Sequence, residues 1–265
     1  MKLRIGLLQM HVELGKPDVN YAHALELMEK AMKHEPDILV LPETWNVGFF
    51  PAEHLDELAD KNGERTQEML STFAKNNNVN IVGGTVAAKI GNDILNRSYV
   101  FNREGKIAET FDKIHGFSLS GEPGYFRMGD HLAHFNLDGV ACSMAVCYDI
   151  RFPEFARTMV LDGARMIFVP AAFNMTTGPA HWELTFRARA LDNQIYMLGC
   201  APARDTQAGY ISWGHSIVTD PWGKVMKQLD EKEGILIEEI DLDREDQIRE
   251  QLPLLKHRKS EMYHL

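Results

Sequence analysis

Cys147 is the residue whose type and place in the sequence most clearly suggest chemistry. It stands where an apolar run, residues 140–146, gives way to a segment that begins a helix near Pro153. The backbone N–H groups of such a turn and helix start favour a thiolate and can hold an oxyanion. Free cysteines are more often small buried core residues, so this segment alone leaves a nucleophile and a core thiol both open.

Glu43 and Lys113 follow the ends of two other predicted strands. Taken singly, Glu43 could cap a helix and Lys113 could be a solvated charge. Together with the thiol of Cys147, however, they form the minimum set for amide hydrolysis. A glutamate can deprotonate the thiol and later activate water, and a lysine can stabilise the tetrahedral oxyanion.

Glu122 lies in a Gly/Pro-rich loop after Lys113. It either orients the lysine and relays a proton or is an exposed loop carboxylate, and the sequence leaves both possibilities open. A cysteine nucleophile is usually paired with a histidine base. None of the histidines stands in a recognised Cys–His signature, and those that remain alternative bases are His115, His181 and His215.

The elements that must position these residues alternate between strand and helix patterns. The predicted strands are 3–9, 37–41, 79–83, 95–102, 106–111, 140–146, 165–170, 195–200, 212–219 and 234–240. The predicted helices are 18–33 with Asp18 as its cap, 64–77, one beginning near Pro153, and 179–192. The hairpin formed by 95–102 and 106–111 predicts a mixed sheet. We therefore expect one α/β domain over residues 1–265, with helices outside two packed mixed sheets.

Composition excludes several classes of protein. The chain has 265 residues, is 45% hydrophobic and carries a formal net charge of −10, which argues against a nucleic-acid-binding surface. No apolar run approaches the roughly 18 residues of a membrane helix, and residues 1–9 resemble a strand, not a signal peptide. The sparse cysteines include no CxxC zinc pair, and Cys142 and Cys200 read as core residues. We expect a soluble protein of the reducing cytoplasm without metal or membrane partners.

Three motifs resemble those of the nitrilase, or carbon–nitrogen hydrolase, superfamily. They are LPETWN with Glu43, DKIHGF with Lys113 and CYDIRFPE with Cys147, in the family's order and at comparable spacing. The resemblance implies a four-layer α-β-β-α sandwich, a homodimer and no cofactor. It also implies that Glu43 is the base, that Lys113 holds the oxyanion and that Cys147 attacks. The second glutamate of the family corresponds to Glu122.

A downstream run, AFNMTTGPAHWE at residues 172–183, is similar to the ω-amidases within that family. This similarity implies hydrolysis of the terminal amide of small 2-oxo acid amides, namely 2-oxoglutaramate and 2-oxosuccinamate. Alternatives are another linear amide, an N-carbamoyl compound or a nitrile as substrate, or a catalytically silent scaffold on the same fold. The residues expected to bind a small-molecule amide are Tyr148, Phe173, Asn174, Thr176, Thr177, His181 and Trp182.

The group that binds the substrate carboxylate stays open at this stage. An arginine is the usual bidentate clamp for a carboxylate, but Arg151, Arg187 and Arg189 could equally be buried structural partners. For Arg151, which has Asp149 and Glu154 as sequence neighbours, we favour a structural ion pair. Aromatic residues of the downstream run could line a pocket or belong to the core.

Overall fold

The computed structural model describes residues 1–49 and 54–262. The strands are β1 (Lys2–Gln9), β2 (Ile38–Val40), β3 (Asp60–Lys61), β4 (Asn80–Val82), β5 (Val86–Ile90), β6 (Asp93–Phe101), β7 (Ile107–Asp112), β8 (Phe135–Leu137), β9 (Val140–Met144), β10 (Met166–Pro170), β11 (Tyr196–Cys200), β12 (Ile217–Thr219), β13 (Val225–Gln228) and β14 (Gly234–Asp241). The helices are α1 (Pro17–Met32), α2 (Leu55–Leu58), α3 (Glu64–Asn77), α4 (Pro153–Leu161), α5 (Gly178–Asn193) and α6 (Leu242–Gln251).

These strands form two mixed sheets. Within the described residues the first has eight strands in the order β14-β1-β2-β4-β6-β5-β3, with β7 beside β6, and the second has six in the order β13-β12-β11-β10-β9-β8. The pairs β1–β2 and β2–β4 are parallel, whereas β6 and β7 form the expected antiparallel hairpin. Phe101 pairs with both β4 and β7, so β7 lies on the free edge of β6.

Alternation along the strands shows which face of the first sheet meets which layer. On β1, Leu7 packs into the core that contains the second sheet, whereas the next residue, Leu8, packs against α1 and α3. On β2 the neighbours Val40 and Leu39 divide in the same way. Successive side chains of a strand point to opposite faces, so the first sheet lies between a helical layer and the second sheet.

The other face of the second sheet is covered by α4 and α5. Phe186 of α5 packs against Gly199 of β11, where an added Cβ would lie 2.4 Å from the aromatic ring. Met159 of α4 is fully buried in the same core. The order of layers is therefore helix, sheet, sheet, helix, and the predicted four-layer α-β-β-α sandwich is confirmed.

Several predicted elements differ from the structure at their ends. Lys16, not Asp18, is the N-cap of α1, and Asp18 lies in the first turn. The predicted strand 212–219 is regular only from Ile217, because Gly214 and His215 both have positive φ angles. The predicted elements do not include strands β3, β5, β8 and β13 or helices α2 and α6. Among the described residues, no helix is long and apolar enough to cross a membrane.

Candidate active site

Glu43 follows the carboxyl end of β2 and is 2% exposed. Its Oε2 accepts a hydrogen bond from the backbone N–H of Ala172, at 2.9 Å. Its Oε1 accepts from Lys113 Nζ at 2.9 Å and from Asn96 Nδ2 at 3.1 Å. The carboxylate is thus held by donors from three other segments, and it does not serve as a helix cap.

Lys113 follows β7 directly and is 1% exposed, so it is not a solvated surface charge. Its Nζ donates to both carboxylate oxygens of Glu122, each at 2.7 Å, as well as to Glu43. Glu122 is fully buried and also accepts from the backbone N–H of Phe117 at 2.8 Å. One buried ammonium is therefore shared between two buried carboxylates, a pairing that burial of such charges requires.

Cys147 begins a short 3₁₀ helix, Cys147–Arg151, just beyond the end of β9. Its φ angle is +47°, in the left-handed region that a residue with a Cβ seldom occupies. Such a conformation costs on the order of 1–3 kcal/mol and persists only where neighbouring structure enforces it. The side chain is 6% exposed. The sharp turn from strand to helix points to a site in which the sulfur position matters.

Burial and neighbouring charges have opposing effects on the pKa values of these side chains. Burial raises the pKa of the Cys147 thiol, the charge of Glu43 raises it further, and the opposing effect of Lys113 is smaller. Burial likewise raises the pKa of Glu43 despite the neighbouring ammonium. For Lys113, burial lowers the pKa, but the surrounding negative groups outweigh it and leave the pKa above its ordinary value. Burial and the charge of Glu43 therefore oppose the thiolate that the backbone N–H groups would favour.

Asp149 connects the segment that carries Lys113 to the segment that carries Cys147. This fully buried carboxylate accepts from the backbone N–H of Val146 at 2.9 Å. It also contacts the backbone N–H of His115 at 2.8 Å and the ring Nδ1 of His115 at 2.7 Å. Since Val146 precedes the nucleophile and His115 lies two residues after the lysine, one carboxylate fixes the two segments relative to each other.

The histidines considered as bases have other partners. His115 is bound to Asp149, and its ring stacks on Phe152 with 3.9 Å between centroids. His215 stacks on Trp213, and its Nδ1 lies 2.8 Å from the carbonyl oxygen of that residue. Among the described residues the groups that act electrostatically on the thiol are led by Glu43 and Lys113. His115 and His215 are bound to other groups, so Glu43 remains the candidate base.

A small cavity opens at the thiol. Its volume is about 10 Å³, and it is lined by Phe117, Cys147, Tyr148, Arg151, Ala172, Phe173, Thr177 and Tyr210. A buried water needs roughly 10–15 Å³ of such space, so the cavity as it stands has room for about one water. A larger ligand can bind only if side chains at the mouth move aside.

Of the residues expected to bind substrate, Tyr148, Phe173 and Thr177 line this cavity. Asn174 shapes the loop beside it, because its Oδ1 accepts hydrogen bonds from the backbone N–H groups of Thr176 and Thr177. Thr176 itself is exposed and does not line the cavity. Residues 172–183 therefore form part of the cavity wall and a turn that is held by the Asn174 side chain.

Trp182 and His181 do not line the cavity. Trp182 is 1% exposed, packs edge-on against Phe173 and donates its ring N–H to the carbonyl oxygen of His215 at 2.7 Å. It therefore supports the wall from behind. His181 is exposed and lies 3.1 Å from Arg151 Nη1 through its Nδ1.

Arg151 is a cation at the thiol cavity without a carboxylate partner among residues 1–49 and 54–262. Its guanidinium lies 4.6 Å above the ring centroid of Phe173. The favoured ion pair with Asp149 or Glu154 is wrong, since Asp149 is taken up by backbone and histidine donors. Arg189 does act structurally, because it donates to the carbonyl oxygens of Ile150 and Arg151.

Comparison with known proteins places this arrangement in a family. The sequence model described as "Carbon-nitrogen hydrolase" matches residues 4–250. The chain belongs to the carbon–nitrogen hydrolase family. Its nitrilase-superfamily resemblance is thereby confirmed.

Relatives match this carbon–nitrogen hydrolase over its length. It is 37% identical to "Omega-amidase NIT2" of Mus musculus, over 98% of this chain and 96% of the relative. It is 38% identical to "2-oxoglutaramate amidase" of Bacillus subtilis (strain 168), over 99% of this chain and 100% of the relative. The crystal structure of Saccharomyces cerevisiae Nit3, of the nitrilase superfamily, matches with a TM-score of 0.91 and 32% identity, covering 97% of each chain.

Sequence patterns did not single out several groups at the site of this carbon–nitrogen hydrolase. Asn96, on the buried β6, contacts both Glu43 and Glu122, at 3.1 and 3.2 Å. The sequence signal for Asn96 is that it shares one face of a buried strand with Ser98, so two polar side chains stand where apolar ones are expected. Tyr210 donates to the carbonyl oxygen of Ala172 at 2.5 Å. It stands in an irregular loop, where no periodicity indicates its direction. Within the described residues, no group of three or more His, Cys, Asp or Glu is arranged to hold a metal ion.

Proposed function

We propose that this protein hydrolyses the terminal amide of small 2-oxo acid amides, 2-oxoglutaramate and 2-oxosuccinamate, and releases ammonia. One observation carries the proposal. A buried thiol stands beside a buried Glu43–Lys113–Glu122 ion cluster, in a chain that matches ω-amidase relatives over its full length. A thiol, a base and a fixed ammonium are what stepwise amide hydrolysis needs.

In the first half-reaction, Glu43 takes the proton of the Cys147 thiol while the sulfur attacks the amide carbon. The C–S bond forms, and the carbonyl electrons move to the oxygen. The Lys113 ammonium and the backbone N–H of Tyr148 stabilise this oxyanion. The oxyanion then collapses, the C–N bond breaks, and Glu43 returns its proton to the leaving nitrogen. Ammonia departs and a thioester remains on Cys147.

In the second half-reaction, a water attacks the thioester carbon and gives one proton to Glu43. The C–S bond breaks, the carboxylic acid leaves, and the sulfur takes up the proton from Glu43. The raised pKa values of Cys147 and Glu43 suit this exchange, because a buried thiol needs a base and a buried carboxylate is a stronger base than a solvated one. Glu122 acts through Lys113, which it holds with both oxygens.

Arg151 is our proposed partner for the substrate carboxylate. It is a cation that lines the thiol cavity, and no carboxylate of residues 1–49 or 54–262 pairs with its guanidinium. Binding requires Phe117 and Tyr148, which also stand at the cavity, to swing aside, because the present space holds about one water. Thr177, in the same wall, adds a hydroxyl near the bound acid.

We also propose that the protein is a homodimer. Exposed apolar side chains lie at two positions of α5 separated by two helical turns, Leu184 at 66% and Leu191 at 42%. Trp222, 51% exposed, follows on the turn whose Gly223 packs against Leu191. Such apolar residues grouped on one outer layer are typical of an interface. A second copy of the chain would cover them.

Ammonia release from 2-oxoglutaramate tests the proposed substrate. We expect turnover with 2-oxoglutaramate and 2-oxosuccinamate and much less with the matching amides that lack the 2-oxo group. Cys147→Ala serves as the control for ammonia that arises without the enzyme. Faster turnover of an N-carbamoyl compound or a nitrile would replace the proposed substrate, and inactivity on every amide would favour a silent scaffold.

A further inference from the structure

A second cavity reaches the candidate base from a different side. Its volume is about 40 Å³, and Glu43 lines it, whereas Glu43 does not line the cavity that contains Cys147. Its outer wall is formed by Leu14, Phe49 and Ala208. At roughly 10–15 Å³ for each water, the space holds about three waters.

Tyr210 and Ala172 line both cavities, so the two spaces are adjacent. The Tyr210 hydroxyl donates to the carbonyl oxygen of Ala172 at 2.5 Å. The N–H of the same Ala172 donates to Glu43 Oε2 at 2.9 Å. The ring of Tyr210 packs on Phe49, with 4.1 Å between centroids. Tyr210 is therefore attached to the backbone segment that holds Glu43.

We infer that the second cavity is the water site for the hydrolysis of the thioester. This inference rests on the proposed function. Once the acyl group is attached to Cys147, it fills the first cavity, whose present volume is about that of one water. Glu43 lines the second cavity and not the first, so a water held there is next to the base and outside the space that the acyl group fills.

The chemical step is the second half-reaction given above. A water from this cavity forms the C–O bond and passes one proton to Glu43, the C–S bond breaks, and the sulfur recovers the proton. Tyr210 is a positioning residue in this scheme, because it acts through Ala172 on Glu43.

Filling the second cavity tests the inference. Ala208→Phe and, independently, Leu14→Trp add bulk to its wall, and Thr206→Phe adds the same bulk to an exposed neighbour that does not line it. With 2-oxoglutaramate, we expect both wall variants to lose about tenfold in kcat while kcat/KM, which reports acylation, stays near wild type. Ammonia should appear as a burst of about one per Cys147, and intact-mass measurement should show acylated enzyme accumulating. Thr206→Phe should behave as wild type.

Two results would overturn the inference. One is wild-type kcat in both wall variants, and the other is an equal loss of kcat and kcat/KM without acyl-enzyme, which a distorted site would give. Failure of the proposed function is seen separately, in the wild type. A wild-type protein that releases no ammonia and forms no acyl-Cys147 refutes the proposed function and the inference with it.

Discussion

At the scale of single residues, the buried charges of Glu43, Lys113 and Glu122 stabilise one another. Each side chain is 2% exposed or less, and an isolated charge in such a place would be strongly disfavoured. The positive charge of Lys113 stabilises both buried carboxylates, and their negative charges in turn keep the lysine protonated. The ammonium is therefore fixed in position before substrate arrives, which is what makes a preorganised donor effective towards an oxyanion.

The pH dependence of kcat/KM tests the proposal that Glu43 is the base. The base must be ionised, and burial raises its pKa above the ordinary value of 4.5. We expect kcat/KM to fall as the pH drops through that raised pKa, so the midpoint of the acid limb should lie above 4.5. A profile of initial rates measures it, with circular dichroism at each pH to show that the fold persists. A midpoint at or below the ordinary value would mean that another group is the base.

Arg151→Met tests recognition of the substrate carboxylate. A charge-assisted hydrogen bond contributes roughly 1.5–3 kcal/mol, so we expect KM for 2-oxoglutaramate to rise about tenfold or more. The rate with a simple neutral amide should change little, because that substrate has no carboxylate to bind. Arg187→Met is the matched control, since Arg187 pairs with Glu183 and does not line the thiol cavity. Equal KM values for Arg151→Met and wild type would refute the assignment.

At the scale of elements, the carboxyl ends of β2, β7, β9 and β10 bring the site together. Glu43, Lys113 and Cys147 follow the first three of these strands, and Ala172 follows the fourth. The strand ends alone do not fix the distances between the loops. Asp149 supplies that link, because it accepts hydrogen bonds from both the Lys113 segment and the Cys147 turn.

Asp149→Asn should loosen this link. The amide offers one acceptor oxygen in place of two, so at least one buried N–H group loses its partner, at a cost of about 1–3 kcal/mol. We expect the unfolding free energy from a urea titration to fall by that amount, and kcat to fall with it. Asp162→Asn, on an exposed residue beyond α4, is the control. An unchanged urea midpoint would show that Asp149 does not stabilise the contact between the two segments.

Sequence patterns predicted the regular elements well where periodicity was strong. Helix α3 has the predicted bounds, and the strand before each of Glu43, Lys113 and Cys147 was placed within a few residues. Short strands such as β8 were missed because three residues carry too little alternation. The direction of Arg151 and the place of Tyr210 depend on contacts with residues distant in the chain, which no local pattern encodes. The burial of Glu122 was likewise a tertiary property.

At the scale of the whole molecule, the two sheets meet face to face, and the site lies where loops from both converge. Strand β14 pairs with β1 along its full length, so the sequence near the C-terminus completes the sheet that begins at Lys2. We propose that the chain is one domain, since Glu43 and Lys113 come from one sheet and Cys147 from the other. Separation of the sheets would divide the candidate catalytic groups.

The proposed dimer can be tested on α5. Placing arginine at both Leu184 and Leu191 puts two charges in the proposed apolar interface, and we expect light scattering to give the mass of a monomer. The wild-type protein should give that of a dimer at the same concentration. Leu25→Arg, at a partly exposed position on α1 in the other helical layer, should leave the dimer intact. A monomeric wild type would contradict the proposal.

The most direct test of the central claim is detection of the acyl group on Cys147 during turnover. Protein mixed with 2-oxoglutaramate and quenched in acid should show the mass of the protein plus the acyl part of the substrate. Peptide mapping should place the addition on Cys147, with Cys142 and Cys200 unmodified, and Cys147→Ala should show no addition and no ammonia. Ammonia release by Cys147→Ala at the wild-type rate, with no acyl group on any cysteine of the wild type, would contradict the claim.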